Sequence, residues 1–306
     1  MNNALYRVRL DGSEYACKLC VPDERRRAQR EAGTLGWLDR HGVDLAPRLV
    51  GWDESLALAP YPAVAAEWIA GQPLESPWTS PKLAALLASV QLMHTCRPDR
   101  MQAQADLLPA YFHWFSPAPY LADLSGLSQR YLPWLAQQPP DGAQLAAQTQ
   151  AMLAAAWPRL AQPAAEPLLA DAPLCLVHVD PNPANALLGP DGRLRWVDWE
   201  YSGWGDPALD LIELVWHDGF YDLTREQRDW LVANYRPAQG DESFYDRLAY
   251  WEDLLAARWA LLLLRSWWAA LNGADRLRLG RIPMDPQRQR SRFLEMLARA
   301  RRFYRI

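Results

Sequence analysis

The alternation of apolar and polar positions predicts two β-strands at the start of the chain. Ala4–Arg9 and Tyr15–Val21 alternate residue by residue on either side of an Asp11-Gly12 pair, which is typical of a hairpin turn. In Pro22–Gly42 the apolar residues follow helical spacing, and a glycine ends the pattern. The chain therefore begins with a predicted β-hairpin followed by a helix.

A second pair of strands is predicted at Pro47–Trp52 and Ala63–Ile69, after which the pattern becomes helical. We place a domain boundary at this change, between a small β-rich domain, residues 1–70, and a large helical domain, residues 71–306. Ser80-Pro81 combines an N-cap residue with a proline at the first helical position, and so marks the start of a helix.

A short hairpin in the second half of the chain concentrates the polar residues best suited to chemistry. The apolar run Leu174–Val177 predicts a strand, and Asp191-Gly192 is a strong signal for a two-residue hairpin turn. With that turn, Asn185 lies opposite Asp198 across the hairpin. An amide oxygen and a carboxylate in this arrangement can share a hard cation such as Mg²⁺, which takes few protein ligands, all of them oxygens.

Asp180 lies on the loop that precedes this hairpin and faces the same place. A carboxylate there can orient an attacking hydroxyl or accept its proton while a metal neutralises a transferring phosphoryl group. The pattern His178-x-Asp180-x-x-x-x-Asn185, followed by Asp198 on a strand, is the catalytic layout of kinases. The hairpin therefore predicts phosphoryl transfer.

Two charged residues of the N-terminal domain need an explanation. Lys18 lies on a predicted strand, where a single lysine is more often an exposed edge charge. Glu31 lies on the apolar stripe of the first helix, where an unpaired buried charge is costly. Lys18 can serve as its partner; the alternatives are that Glu31 pairs with Arg27 or lies at the edge of the stripe.

Composition narrows the class of protein. The chain has 306 residues, of which 50% are hydrophobic and 22% charged, as in globular proteins with room for two modest domains. A formal net charge of -4 gives no excess of positive charge of the kind that binds nucleic acid. The longest apolar segment, Leu254–Leu271, contains Arg258 and Arg265 on one helical face, which favours a packed helix over a membrane span.

The cysteines and the N-terminus point to the cytoplasm. Cys17 and Cys20 lie on one predicted strand and face opposite ways, so they are not placed as a redox or metal pair. We expect all four cysteines to be reduced thiols. The N-terminus lacks the apolar core of a signal peptide.

Three motifs resemble those of a known family. HVDPNPAN (His178–Asn185), VDWE (Val197–Glu200) and GDPALDL (Gly205–Leu211) are similar to those of the aminoglycoside phosphotransferase and choline kinase-like small-molecule kinases, with a weaker similarity at EWIAGQPL (Glu67–Leu74). The resemblance implies an α+β, two-lobed protein kinase-like fold with a small β-rich N-lobe and a large, mostly helical C-lobe. The first strand and the Gly-rich loop of that fold would precede Met1.

The resemblance also implies roles for the candidate residues. Asp180 would be the catalytic base, Asn185 and Asp198 the Mg²⁺ ligands, and Lys18 the contact to the ATP phosphates, steadied by Glu31. The same resemblance implies that adenine is received by the backbone of Glu67, Trp68 and Ile69, and that His178 and Asp210 brace the catalytic loop. From the residues alone, Asp210 falls in the first turn of a helix, and a second interpretation is that it caps the helix.

The leading hypothesis is transfer of a phosphoryl group from ATP, or alternatively GTP, to a hydroxyl of a small molecule with the help of Mg²⁺. An aminoglycoside, a choline-like compound or an amino sugar would be the acceptor, so a cationic substrate is expected, and neither nucleic acid nor membrane is expected as a partner. Asn182 stands where protein kinases keep a lysine, which disfavours protein substrates. The alternative is a catalytically impaired, kinase-like nucleotide-binding protein. The retained Asp180, Asn185 and Asp198 argue against it.

Overall fold

The computed structural model describes residues 3–57, 59–98, 107–273 and 284–306. It divides into two compact units: the first contains the described residues up to 113 and from 173 to 241, and the second those from 114 to 172 and from 242 to 306. The division at residue 70 stays a prediction; in these units the predicted catalytic hairpin lies with the N-terminal sheet. The backbone N–H of Trp196 in that hairpin donates to the Leu45 carbonyl at 2.7 Å.

Strands and helices account for most of the described chain. In the first unit they are β1 (Ala4–Leu10), β2 (Ser13–Leu19), α1 (Arg27–Arg40), β3 (Leu49–Asp53), β4 (Ala63–Glu67), β5 (Gln72–Pro73), α2 (Ser80–Thr95), β6 (Cys175–Val177), β7 (Ala186–Leu188), β8 (Leu194–Trp196), β9 (Gly203–Gly205), α6 (Pro207–Trp216) and α7 (Arg225–Asn234). In the second they are α3 (Pro117–Leu135), α4 (Gly142–Leu160), α5 (Ala165–Ala170), α8 (Phe244–Asn272) and α9 (Pro286–Tyr304).

A four-stranded antiparallel sheet with the order β1-β2-β4-β3 forms the N-terminal part of the first unit. The hairpin predicted around Asp11-Gly12 is confirmed, since Leu10 pairs with Ser13 and both turn residues have positive φ, 49° and 77°. Two positive φ values are those of a type I′ turn, whose twist matches that of the strands it joins. The hairpin places Lys18 on β2, an inner strand that pairs with β1 and β4.

Helix α1 is shorter than the sequence predicts. It begins at Arg27 rather than at Pro22, because Arg26 adopts a left-handed conformation with φ 53° and its N–H closes a turn onto the Asp23 carbonyl at 3.0 Å. The predicted apolar stripe is buried, and Glu31 lies on it with a residue exposure of 7%. The helix therefore carries a carboxylate into the interior of the first unit.

The register of the catalytic hairpin differs from the prediction by one residue. Ala186 pairs with Trp196, and the Val197 N–H donates to the Asn185 carbonyl at 2.8 Å, so Asn185 lies opposite Val197 and not opposite Asp198. Pro190 is the reason. The Gly192 N–H bonds the Gly189 carbonyl at 3.0 Å, which places Pro190 at the second position of a β-turn, where its fixed φ is favoured. With Gly192 at φ 74°, the loop has one residue more than a two-residue turn.

The second unit is helical. Ring stacking between Trp267 and Phe293, 5.9 Å apart, joins α8 to α9, and Arg258 donates to Asp123 of α3 at 2.8 Å. Helix α8 is long and apolar enough to cross a membrane, but 56% of its most apolar stretch is buried. Such burial is typical of a core helix, as predicted for Leu254–Leu271.

Candidate active site

The predicted catalytic loop, His178–Asn185, begins directly after β6 and is fixed by a buried carboxylate. Asp210, on the first turn of α6, accepts hydrogen bonds from the backbone N–H groups of Val179 at 2.8 Å and His178 at 3.4 Å. Burial raises the pKa of Asp210, but the hydrogen bond from His94 Nε2, at 3.1 Å, and the nearby charges outweigh it and lower the pKa overall. These bonds hold Val179 at φ 73°, a strained conformation for a β-branched residue.

His178 ties the loop to the end of β8. Its Nε2 lies 3.0 Å from the Val197 carbonyl, and its ring packs between Trp196 and Trp199, with centroid distances of 5.0 and 4.6 Å. Burial lowers the pKa of His178, so the imidazole is neutral and donates through Nε2. Both His178 and Asp210 are therefore placed to brace the loop, which is the role that the family resemblance implies.

Asp180 carries the carboxylate of this loop, with 29% of its side chain accessible. His217, at the C-terminal end of α6, lies 3.1 Å from Asp180 Oδ1 through its Nε2. Burial raises the pKa of Asp180, but the hydrogen bonds from His217 and from the Asn182 backbone N–H, together with the nearby imidazoles, outweigh it and the net pKa is lowered. The carboxylate is therefore ionised at neutral pH and able to orient a hydroxyl and accept its proton.

Asn185 ends a single 3₁₀ turn, Pro183–Asn185, whose N-terminus is capped by the Asn182 side chain. Its Nδ2 donates to the Asp180 carbonyl at 3.2 Å, so the amide orientation is fixed. Its Oδ1 accepts no hydrogen bond from the residues that the structure describes and is the atom available to a ligand. Asn185 thus links the loop of Asp180 to the strand that leads to Asp198.

Lys18 lies at the centre of a buried charged cluster. Its Nζ lies 2.6 Å from Glu31 Oε2 and 3.3 Å from Glu200 Oε2, and it also forms an ion pair with Asp198. Arg27, the alternative partner of Glu31, instead contacts Glu200 at 3.0 Å. Burial lowers the pKa of Lys18, but the surrounding carboxylates raise it well above its usual value, so the ammonium keeps its proton.

Glu200 was not assigned a role from the sequence, although it lies in the VDWE motif. Besides Lys18 and Arg27, it lies 3.8 Å from Arg25 and accepts a hydrogen bond from the Asn3 side chain. Burial raises its pKa. No local pattern distinguishes this residue, because its partners lie far from it in the chain and are brought together only by folding.

The donor set around Asp198 fits a hard cation. Asp198 follows β8 and has a φ of 66°. Its side chain is 38% exposed, compared with 9% for Glu31 and 7% for Glu200. Asn185 and Asp198 offer only oxygen ligands. No group of three or more His, Cys, Asp or Glu side chains in the described parts of the chain is placed to hold a metal. A cation held by these two residues would take its remaining ligands from water and phosphate, as Mg²⁺ does.

The segment predicted to receive adenine, Glu67–Ile69, begins at the last residue of β4. The Glu67 N–H donates to the Arg48 carbonyl at 2.9 Å, and the Trp68 N–H donates to the Glu14 carbonyl at 3.2 Å. Both donors are therefore used inside the sheet. The Ile69 N–H has no partner within the described ranges, and of the three backbone donors it is the one available to a base.

Comparison with known proteins identifies the family of the chain. Residues 1–251 match the family model described as the phosphotransferase enzyme family (APH). The chain belongs to this phosphotransferase family. The family resemblance inferred from the three sequence motifs is therefore confirmed, and the protein is a small-molecule kinase.

Solved structures of several small-molecule kinases share the fold. Choline kinase LicA from Streptococcus pneumoniae is 21% identical, with a TM-score of 0.58 over 96% of this chain and 89% of that one. Plasmodium vivax ethanolamine kinase is 13% identical, with a TM-score of 0.57 over 99% and 83%. Spectinomycin phosphotransferase APH(9)-Ia, in complex with ADP and spectinomycin, is 13% identical, with a TM-score of 0.63 over 98% and 89%. The predicted α+β kinase-like fold is confirmed.

A curated relative matches over a short segment. Protein LicA of Haemophilus influenzae is 40% identical over 58 residues, which cover 19% of this chain and 20% of that protein. The match spans about a fifth of the relative's length, so it adds a local sequence similarity to the family match and the shared fold.

His217 is the second residue that sequence reasoning missed. A histidine at the end of a helix has many ordinary roles, and its contact with Asp180 depends on how α6 packs against the loop. The only signal available was the presence of a histidine shortly after the GDPALDL motif.

Proposed function

We propose that this phosphotransferase transfers the γ-phosphoryl group of ATP, with GTP as the alternative donor, to a hydroxyl of a small molecule in a Mg²⁺-dependent reaction. One observation carries the proposal. The side chain of Asn185 donates to the backbone carbonyl of Asp180. Its own backbone carbonyl accepts a hydrogen bond from the N–H of Val197, the residue before Asp198. A single residue thus holds together the predicted base and the predicted metal ligands.

The residues have distinct tasks in this reaction. Ionised Asp180 orients the acceptor hydroxyl and takes its proton as the oxygen–phosphorus bond forms. The bond between the γ-phosphorus and the bridging oxygen breaks, and ADP leaves with the electron pair. Lys18, held by Glu31, binds the phosphates. Asn185 and Asp198 would hold Mg²⁺, which neutralises charge on the phosphates.

The acceptor is proposed to be an amino alcohol or an amino sugar. Choline, ethanolamine and spectinomycin, the compounds that name the structural neighbours, all carry a hydroxyl and a nitrogen that is cationic at neutral pH. A cytoplasmic location is proposed as well. The four cysteines are free thiols in the structure, which supports a reducing compartment.

A product assay tests the proposal. The protein is incubated with Mg-ATP and a panel of choline, ethanolamine, spectinomycin and other aminoglycosides, and phosphorylated acceptor is detected by mass spectrometry. We expect one acceptor class to be phosphorylated by the wild type and not by Asp180→Asn. A protein that binds Mg-ATP but phosphorylates no member of the panel would instead support the alternative of an impaired nucleotide-binding protein. Equal turnover by Asp180→Asn would refute the role of Asp180.

A further inference from the structure

The ring of His217 is fixed by hydrogen bonds at both nitrogens. The backbone N–H of Gly219 donates to Nδ1 at 2.9 Å, and Nε2 lies 3.1 Å from Asp180 Oδ1. A nitrogen that accepts a hydrogen bond carries no proton, so the proton of the neutral ring is on Nε2. His217 therefore donates to Asp180.

The turn after His217 packs closely against the loop that carries Asp180. A Cβ on Gly219 would lie 2.5 Å from Cδ of Pro183 and 2.9 Å from Nδ1 of His217, so this approach requires a glycine. Phe220 anchors the turn from the other side, since it is fully buried and its ring lies 5.0 Å from that of Trp78. The geometry of the His217 ring is thus imposed by its surroundings.

We propose that His217 is a positioning residue for phosphoryl transfer, which holds Oδ1 of Asp180 so that Oδ2 is the oxygen presented to the acceptor hydroxyl. The inference rests on the proposed function and goes beyond it, because it assigns different tasks to the two oxygens of one carboxylate. Without this bond the carboxylate keeps the backbone N–H of Asn182 as a partner but rotates more freely about its terminal torsion, which is broad and roughly two-fold for aspartate. Loss of orientation of this kind lowers the rate of the chemical step.

The same geometry excludes a proton relay through His217. Nε2 already carries a proton, and Nδ1 is occupied by the Gly219 N–H. The proton taken from the acceptor therefore stays on Asp180 Oδ2 until the product leaves. His217 contributes orientation and a donor to the carboxylate, and does not enter the reaction itself.

Two substitutions separate the two nitrogens. In His217→Asn the amide oxygen takes the place of Nδ1 and can keep the Gly219 bond, but no donor reaches Asp180. In His217→Gln the amide nitrogen takes the place of Nε2 and can keep the donor to Asp180. We expect kcat to fall about 10- to 100-fold in His217→Asn, the range found when a supporting hydrogen bond is lost, and to recover most of that loss in His217→Gln. The KM for both substrates and the Kd for Mg-ATP should change less than about 3-fold in either variant, because neither contact touches a substrate.

The outcomes distinguish this inference from the proposed function. If the wild type turns over and Asp180→Asn does not, the proposed function stands. A normal kcat in His217→Asn would then overturn the inference alone. An equal loss of kcat in His217→Asn and His217→Gln would do the same. Turnover absent from the wild type overturns both. Nitrogen-15 spectra of the wild-type imidazole give a test that needs no variant: we expect Nε2 to be protonated and Nδ1 not, and the opposite tautomer would overturn the inference.

Discussion

Glu200 and Lys18 form a buried ion pair, with 3.3 Å between Oε2 and Nζ. The same ammonium pairs with Glu31 and Asp198, so three carboxylates share one lysine. Burial raises the pKa of Glu31 to about 7, which the Lys18 charge only partly offsets. Among the described residues, Lys18 is therefore the one cation that all three of these carboxylates contact.

Replacing Lys18 should destabilise the fold as well as impair phosphate binding. Lys18→Met leaves three carboxylates without their shared cation, and breaking a buried pair costs about 3–5 kcal/mol of unfolding free energy. The other lysine of the chain provides a matched control, since Lys82 is more exposed and its Nζ donates to the Glu75 carbonyl at 2.6 Å. Urea denaturation measures the stability of Lys18→Met and Lys82→Met, and similar midpoints for the two variants would contradict this account.

Removing the charge of Asp198 should abolish the effect of Mg²⁺ on nucleotide binding. Asp198→Asn removes the carboxylate from the proposed pair of metal ligands, and magnesium binds weakly without one. Asp191→Asn removes an exposed carboxylate from the same hairpin and serves as the control. Calorimetric titration with ATP should show tighter binding with Mg²⁺ for the wild type and Asp191→Asn, and no such difference for Asp198→Asn. A difference of the wild-type size in Asp198→Asn would remove this residue from the metal site.

The sequence predicted the parts of the site that local patterns encode. The loop from His178 to Asn185 is a contiguous motif, and Glu31 was identified because a charge on an apolar stripe needs a partner. Glu200 and His217 were missed because their partners are separated from them in the chain and meet only in the folded unit. The proposed catalytic hairpin was recognised, but its register was not, since a competing turn signal at Pro190 was overlooked.

Replacing Pro190 tests that register, because the observed and the predicted turn imply opposite changes in the free energy of unfolding. At the second position of the observed turn, proline is preorganised, so Pro190→Ala should destabilise the protein by about 0.4–1 kcal/mol through a more flexible unfolded chain. With a two-residue turn at Asp191-Gly192, residue 190 would be in a strand, where proline is unfavourable and its removal stabilises. Urea denaturation of Pro190→Ala decides between the two, and a gain in stability would refute the observed register.

His113 should make stability depend on pH in the mildly acidic range. The ring is buried, with Nδ1 accepting the Asp206 N–H at 3.1 Å, and burial lowers its pKa from the ordinary 6.5 to about 4. Between these values the unfolded chain binds a proton that the folded protein does not, so stability is full above pH 6.5 and is lost as the pH falls towards 4. The loss due to this residue is about 3 kcal/mol.

The substitution His113→Asn isolates this contribution. Its amide oxygen can take the place of Nδ1 as acceptor for Asp206, but it does not titrate, so the variant should lose less stability than the wild type between pH 6.5 and 4. The pKa of His178 is also lowered by burial, but that residue is present in both proteins and cancels from the comparison. Urea denaturation at several pH values measures the two slopes. Parallel curves would mean that His113 is protonated in the folded protein, and the buried Asp206 N–H would then need another acceptor.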